Sequence, residues 1–262
     1  AVLFLDADDW LAPDALSRLA GTLAAAPGAV AATAPFRAVP ETATPGSGLP
    51  SSPLLPGSGL STPAALPGSG LPDRPDPGFD PLPLLLERNL FANGGHLLIR
   101  REAVERAGGF RRGVAYGEDW EYWVRLALLG RFARAPGRAP VLFVRQRASG
   151  AYLRMANDPD SFRPCMEAIF GNPDLVARFG PARLAAIRRR AEAENRWIVG
   201  RELVRHGRAR EGRVWLRRSA REKPSLKRAL LAAAAHTLPV LPPALHGPFR
   251  AYPAIERPAP AG

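Results

Sequence analysis

Apolar positions along the chain follow two patterns, continuous runs and helical spacing. The distribution of these patterns divides the chain into two parts. Apolar runs without polar alternation are typical of strands covered on both faces of a sheet, and they occur at residues 1–5, 29–34 and 141–144. Beyond about residue 150 only the helical period remains. We therefore predict an α/β domain over residues 1–150, followed by an α-helical extension over residues 151–262.

Helical spacing of apolar residues also occurs within the first part, where Leu16, Leu19 and Leu23 precede the helix-ending pair Pro27 and Gly28. The same criteria predict helices at residues 10–25, 84–90, 101–107 and within 116–130, and a short strand at 96–100. In the extension they predict helices at residues 158–170, 181–206, 208–222 and 224–236.

One segment shows neither the continuous apolar runs nor the helical spacing. Residues 40–83 contain 12 prolines and 7 glycines, and the sequence Pro-Gly-Ser-Gly-Leu occurs in them three times at an interval of 11 residues. Repeats of this composition cannot form a packed unit. We therefore predict that residues 40–83 are a disordered insertion, which a fold tolerates because loop-closure entropy grows slowly with loop length.

Three carboxylates follow the first predicted strand, at Asp6, Asp8 and Asp9. The carboxyl ends of strands are the usual ligand-binding edge of an open α/β sheet. Clustered carboxylates repel each other unless a cation lies between them, and oxygen ligands favour Mg²⁺ or Mn²⁺. The alternative is a structural role in which Asp9 caps the helix predicted at residues 10–25.

A second acidic group stands at the start of the helix predicted within residues 116–130 and comprises Glu118, Asp119 and Glu121. Acidic side chains at this end of a helix are favoured by the macrodipole, so simple helix capping accounts for them. Burial and a nearby cation can adjust the pKa of such a carboxylate. It is then also suited to act as a general base towards an acceptor hydroxyl. Both interpretations stay open on the residues alone.

Three segments in this order, FLDADDW, HLLIRREAVERAGGF and GEDWEYWVRL, resemble the family 2 glycosyltransferases of the GT-A fold. The resemblance covers residues 1–37 and 84–147. It implies a Rossmann-like, mainly parallel sheet and an inverting transfer of a sugar from a nucleotide-diphosphate sugar to an acceptor hydroxyl. The acceptor would be a glycan, a lipid-linked molecule or a protein, in glycan or envelope polysaccharide synthesis.

The resemblance also implies a role for each matching residue. Asp6 would lie near the ribose of the donor or the metal, Asp8 would hold Mg²⁺ or Mn²⁺ on the diphosphate, and Asp9 would support both. Asp119 would be the catalytic base, with Glu118 beside it. Arg125 would contact the pyrophosphate or brace the site, and the acceptor side would be shaped by Gly108, Gly109 and Phe110.

The chain departs from the family pattern in one respect, because no strand and polar turn of the V-I-P-T-Y-N kind precedes the acidic motif. That segment builds the base-binding half of the nucleotide site in the family. We therefore expect this chain to be the C-terminal part of such an enzyme. The alternative function is a truncated, non-catalytic GT-A remnant that serves only as a binding module.

Charge is distributed unevenly, since the overall value of +12 combines a net −5 over residues 1–80, a net +5 over residues 81–180 and a net +12 over residues 181–262. Of the 36 basic residues, 34 are arginine, and they occur throughout the chain. This distribution indicates a compositional bias, so we expect no nucleic-acid partner. Residues 228–245 are apolar with flanking charge, which favours peripheral association with an anionic membrane. No apolar run is long enough to span a membrane, so we expect a cytoplasmic protein at the inner face of the membrane.

Two isolated residues complete the candidates. Cys165 is the single cysteine, which excludes an internal disulfide, and it is expected to be a small buried hydrophobe. His96 follows a glycine pair and is expected at the surface or at a strand edge.

Overall fold

The computed structural model describes residues 1–45, 76–146 and 155–237. The described strands are β1 (Trp10–Leu11), β2 (Ala29–Thr33), β3 (Phe36–Pro40), β4 (Asp76–Phe79), β5 (Leu97–Ile99), β6 (Arg131–Arg134) and β7 (Leu142–Gln146). The helices are α1 (Ala15–Ala25), α2 (Leu82–Leu85), α3 (Arg101–Ala107), α4 (Glu118–Leu129), α5 (Arg163–Phe170), α6 (Pro173–Phe179), α7 (Pro181–Arg205), α8 (Ala209–Glu222) and α9 (Leu226–Thr237). A 3₁₀ turn, Gly94–His96, precedes β5.

The described strands form two small mixed sheets, one in the order β4-β6-β2-β5 and the other in the order β1-β7-β3. The pairs β2–β6 and β3–β7 are parallel, whereas the other three pairs are antiparallel. The prediction of an α/β class is confirmed. The expectation of a mainly parallel sheet is wrong for the described strands, because an apolar run predicts burial but does not specify the direction of pairing.

Residues 1–5 do not form the buried strand predicted for them. Only Val2 pairs, in an antiparallel bridge to Ile99 of β5 with hydrogen bonds of 2.7 and 2.8 Å. Residues 2–4 are half-buried, and Leu5 is 45% exposed. The segment therefore runs along an edge of the sheet, where its apolar side chains are only partly covered.

The predicted disorder of residues 40–83 is wrong at both ends of that range. Pro40 closes β3, and residues 76–83 form β4 and the beginning of α2. The ring of Phe79 packs edge-on against Phe132 of β6, with the centroids 6.4 Å apart. Proline is tolerated in β4 because this strand lies at the edge of its sheet. Residues 46–75, which hold most of the repeats, lie outside the described residues.

Helix α1 begins at Ala15, five residues later than predicted, because Trp10 and Leu11 pair with β7 instead. Asp9 therefore does not cap this helix. By contrast, α3 has the predicted ends. It stops where Gly108 takes a φ of +74°, in the left-handed region that glycine adopts without strain.

After β7, every described element is helical, as predicted for the extension. The prediction missed α6, a separate helix of seven residues. Helices α7 and α8 approach each other at Gly200 and Gly212, where a Cβ atom on Gly212 would lie 2.5 Å from the carbonyl oxygen of Gly200. Among the described helices, none combines the length and the apolar character needed to cross a membrane.

Candidate functional site

The first acidic motif is a tight turn between the Val2 bridge and β1. The backbone N–H of Asp9 donates to the carbonyl of Asp6 at 3.1 Å. Asp6 is exposed, whereas Asp8 and Asp9 are half-buried. Asp8 and Asp9 line an open cleft of about 540 Å³ together with Trp10 and Arg145, a volume within the usual range for small-molecule sites.

Asn93, which no sequence pattern predicts as a site residue, joins two of these carboxylates. Its side-chain amide donates to Oδ2 of Asp6 at 3.1 Å and to Oδ2 of Asp9 at 2.6 Å. Its own carbonyl oxygen accepts from the backbone N–H of Gly95 at 2.8 Å, which fixes the orientation of the amide. Asn93 thus holds two like-charged groups side by side, with one donor group serving both.

The glycines that follow Asn93 allow this close approach. A Cβ atom on Gly94 would lie 2.7 Å from the Cβ of Phe4, and one on Gly95 would lie 2.7 Å from Cδ1 of Leu142. Larger residues would therefore push Asn93 away from the acidic turn. The pair Gly94-Gly95 was the only signal in the sequence for this contact.

Asp9 is fixed from a second side by β7. The backbone N–H of Arg145 donates to Oδ1 of Asp9 at 2.8 Å. Burial raises the pKa of Asp9, and the charges of Asp8 and Asp6 raise it further, while the bonds from Arg145 and Asn93 lower it. The carboxylate is therefore engaged in the site rather than in capping a helix.

Arg145 also shapes the cleft with its side chain. The guanidinium donates to the carbonyl of Asp8 at 3.1 Å and to that of Glu41 at 2.5 Å. It stacks over the ring of Trp10 at 5.3 Å from the centroid. A fixed positive charge thus stands beside Asp8 at the wall of the cleft.

The second acidic motif occupies the first turn of α4, as predicted. Oδ1 of Asp119 accepts from the backbone N–H of Trp120 at 2.6 Å, and Oδ2 accepts from the side-chain amide of Asn89 at 3.1 Å. Burial raises the pKa of Asp119 to about 7, and the charges of Glu118 and Asp6 raise it as well. The hydrogen bonds from Trp120 and Asn89 act in the opposite direction. Glu118 itself is exposed.

One short segment connects both motifs. Asn89, which holds Asp119, is four residues before Asn93, which holds Asp6 and Asp9. The influence of Asp6 on the pKa of Asp119 places the two motifs in one electrostatic neighbourhood. Asp6 and Asp119 are 113 positions apart in the sequence, and Asn93 and Asn89 hold them from one short segment.

Arg125 connects α4 to the end of α3 through hydrogen bonds. Its guanidinium makes hydrogen bonds of 2.9 to 3.0 Å with the carboxylate of Glu121, which is 1% exposed. It also donates to the carbonyls of Ala107 and Gly109. Of the two roles implied for Arg125, bracing is the one that these contacts provide.

The segment expected on the acceptor side lies next to the acidic turn. Arg125 holds its beginning through Gly109, and Gly108 makes the sharp bend at the end of α3. Phe110 is 43% exposed and packs on Phe4 and Tyr122, with centroid distances of 5.4 and 4.6 Å. Because Phe4 precedes the acidic turn by two residues, this contact sets an exposed aromatic side chain beside the turn.

The two isolated candidates have structural roles. His96 is buried, which corrects the expected surface or strand-edge position. It accepts from the N–H of Ala92 at 3.3 Å and donates from Nδ1 to the carbonyl of Ala34 at 3.0 Å. Burial lowers its pKa to about 4, so it is neutral at pH 7. Cys165 is buried as expected and donates to the carbonyl of Gly117 at 3.1 Å.

Within the described residues, no group of three or more His, Cys, Asp or Glu side chains is arranged to hold a metal ion. Mg²⁺ commonly uses only one or two carboxylates and takes its other ligands from water and substrate phosphates. Oxygen ligands from Asp6, Asp8 and Asp9 beside an open cleft fit that kind of site. No protein-family model, no curated protein and no solved structure matches the chain.

Proposed function

We propose that the chain is a metal-dependent, inverting glycosyltransferase of the GT-A type, which transfers a sugar from a nucleotide-diphosphate sugar to an acceptor hydroxyl. One observation carries this proposal. Asp119 is a half-buried carboxylate at the start of α4, held by Asn89, and desolvation raises its pKa to about 7. A base of that pKa is half-ionised at neutral pH and strong enough to accept a proton from a hydroxyl as it attacks.

The residues divide the reaction between them. Asp119 accepts the proton of the acceptor hydroxyl while the hydroxyl oxygen bonds to the anomeric carbon. The bond from that carbon to the diphosphate breaks on the opposite face, which inverts the configuration. The side chains that would hold Mg²⁺ or Mn²⁺ are Asp8 and Asp6, supported by Asp9. When bound, the cation would neutralise charge on the diphosphate. Arg145 adds a fixed positive charge at the same cleft.

Ligand binding and sugar transfer, measured together, separate this proposal from the alternative of a non-catalytic module. The chain is titrated with Mn²⁺ and each common nucleoside diphosphate while its melting temperature is measured. A ligand at 100 times its Kd stabilises a fold by about 2.7 kcal/mol. We expect stabilisation that Asp8→Ala abolishes and Glu105→Gln, an exposed change on α3, leaves intact.

Sugar transfer is then followed with nucleotide-sugar donors and glycan or lipid-linked acceptors. Asp119→Asn should retain the stabilisation by Mn²⁺ and nucleoside diphosphate but lose turnover, because only the base is removed. Stabilisation without transfer by the unaltered chain would favour the binding module. No stabilisation by any nucleoside diphosphate would contradict a working donor site in this chain and would favour the truncated, non-catalytic remnant.

A further inference from the structure

The last two helices each carry apolar and basic side chains that the described residues leave uncovered. Leu226 and Leu230 of α9 are 76% and 60% exposed, and Val214 of α8 is 48% exposed. Arg218, Arg221 and Lys227 are exposed on the same two helices. We call these six residues the α8–α9 outer face.

Packing within the extension explains why this face points outward. Helix α8 buries Gly212, Leu216 and Ser219, and these positions lie on the side opposite Val214, Arg218 and Arg221 at 3.6 residues per turn. Helix α9 buries Arg228, Ala232 and Ala235.

Arg228 is anchored within the helical bundle. It bonds to Glu194 at 2.6 Å and to Ser219, and its guanidinium lies over the ring of Trp197. The side of α9 that carries Leu226 and Leu230 is therefore turned away from the bundle. This changes the sequence-based expectation, which placed the membrane-facing segment at residues 228–245, because Arg228 is buried and residues 238–245 lie outside the described residues.

Nearby carboxylates do not neutralise the basic residues of this face. Glu194 pairs with Lys223 and Arg228, Glu222 pairs with Arg196, and Glu211 pairs with Arg208. Within the part of the chain that the structure describes, no carboxylate forms an ion pair with Arg218, Arg221 or Lys227. The face therefore presents positive charge beside exposed leucines.

We propose that the α8–α9 outer face binds the surface of an anionic lipid bilayer, with the leucines inserted among the lipid headgroups and the basic residues at the lipid phosphates. Mixed apolar and cationic helical faces are suited to this position. Two copies of the face would bring like charges together, so a symmetric contact between copies is disfavoured. Residues 238–262 carry two arginines and one glutamate and do not complement the positive charge.

Vesicle sedimentation of the full chain tests the proposal. Vesicles of phosphatidylcholine alone are compared with vesicles that also contain phosphatidylglycerol, at low and high salt. We expect binding to the anionic vesicles at low salt and its loss at high salt. The pairs Leu226→Ser with Leu230→Ser, and Arg218→Gln with Arg221→Gln, should each weaken binding by about tenfold or more.

Two controls match these changes at exposed positions elsewhere. Arg101→Gln with Arg106→Gln removes the same charge from α3, and Leu16→Ser removes a leucine from α1 that is 54% exposed. Both should bind as the unaltered chain does. An equal loss in the controls would overturn the assignment to this face.

Three other outcomes would also contradict the proposal that this face binds an anionic bilayer. Equal binding to neutral and anionic vesicles would show that the basic residues do not contribute to binding. Competition by duplex DNA with no effect of the leucine changes would assign the face to nucleic acid. Concentration-dependent dimerisation that the leucine changes abolish, without vesicle binding, would assign it to a second copy of the chain.

Discussion

The side-chain amide of Asn89 donates a 3.1 Å hydrogen bond to Oδ2 of Asp119, the proposed catalytic base. The amide cannot turn freely, because its carbonyl oxygen accepts from the backbone N–H of Phe91 at 3.1 Å. Its N–H group therefore faces Asp119. This bond both orients the carboxylate and favours its charged form, which is the form that accepts a proton.

Replacing Asn89 should impair turnover more than donor binding. Asn89→Ala removes a bond that lowers the pKa of Asp119, so more of the base is protonated at pH 7. We expect kcat to fall about tenfold, which is less than the roughly 10²–10⁴-fold that a general base contributes, because Asp119 itself stays in place; KM for the donor should change little. Asn89→Asp should be worse, because it places a second carboxylate against Asp119.

Asn172→Ala is a matched control for this change. Asn172 caps α6 by accepting from the N–H of Asp174 at 2.9 Å, so its loss should cost about 1 kcal/mol of stability and leave kcat unchanged. If Asn89→Ala changed only the melting temperature, its bond would serve folding alone.

The rate should depend on the ionisation of Asp119. Because the pKa of Asp119 is about 7 and its ionised form is active, kcat/KM should reach a plateau above pH 7 and fall about tenfold per unit below it. The profile is measured with saturating cation at each pH. A limb near the ordinary pKa of aspartate would contradict a raised pKa of the base.

Asn93 should stabilise the acidic turn in a pH-dependent way. Its bond lowers the pKa of Asp9, so Asn93→Ala raises that pKa further and makes ionisation more costly in the folded state. The deficit in the free energy of unfolding should therefore grow as pH rises through the pKa of Asp9 and shrink in acid. Urea unfolding across pH measures it, and a deficit independent of pH would exclude this cause.

The acidic motifs were predictable, whereas the residues that join them were not. Asp6 and Asp119 belong to short patterns that can be recognised locally. Asn93 bonds to Asp6 across 87 positions and Asn89 to Asp119 across 30, and nothing in the spacing of an asparagine specifies such a partner. Only Gly94-Gly95 pointed to a close approach, and the atoms that approach are distant in the sequence.

The fold likewise has features that the sequence predicts and features that it does not. The ends of α3 were predictable because a glycine must follow the helix in the left-handed conformation. The pairing of β4 with β6 was not, because β4 lies in a proline-rich stretch and depends on a distant strand. Likewise, the pairing of Trp10 with Phe143 overrode the helical pattern at residues 10–14.

Arg125 should matter mainly for stability, since it compensates the buried charge of Glu121. Arg125→Gln leaves that carboxylate with fewer partners, and removal of one member of a buried pair typically costs about 3–5 kcal/mol. Arg111 also faces Glu121 at 3.4 Å, but its side chain is 51% exposed, so Arg111→Gln should cost at most about 1 kcal/mol. Equal costs in denaturant unfolding would contradict this division.

The approach of α7 to α8 at Gly200 and Gly212 predicts opposite effects for two glycine-to-alanine changes. In Gly212→Ala the new Cβ would lie 2.5 Å from the carbonyl oxygen of Gly200 and 3.0 Å from the backbone nitrogen of Val204. Backbone atoms cannot rotate aside, so the two helices must separate. We expect a loss of about 1–3 kcal/mol, as for other overpacked interiors.

Gly21 is the matched position, because it also lies inside a helix but a Cβ added there would meet no atom of the described residues within 4 Å. Gly21→Ala should therefore stabilise the protein by up to about 1 kcal/mol through the helix propensity of alanine alone. Both variants are compared by denaturant unfolding. Since the propensity gain applies to both, the difference between them isolates the contact between α7 and α8. Equal stabilisation by both changes would mean that these helices do not approach as closely as their glycines allow.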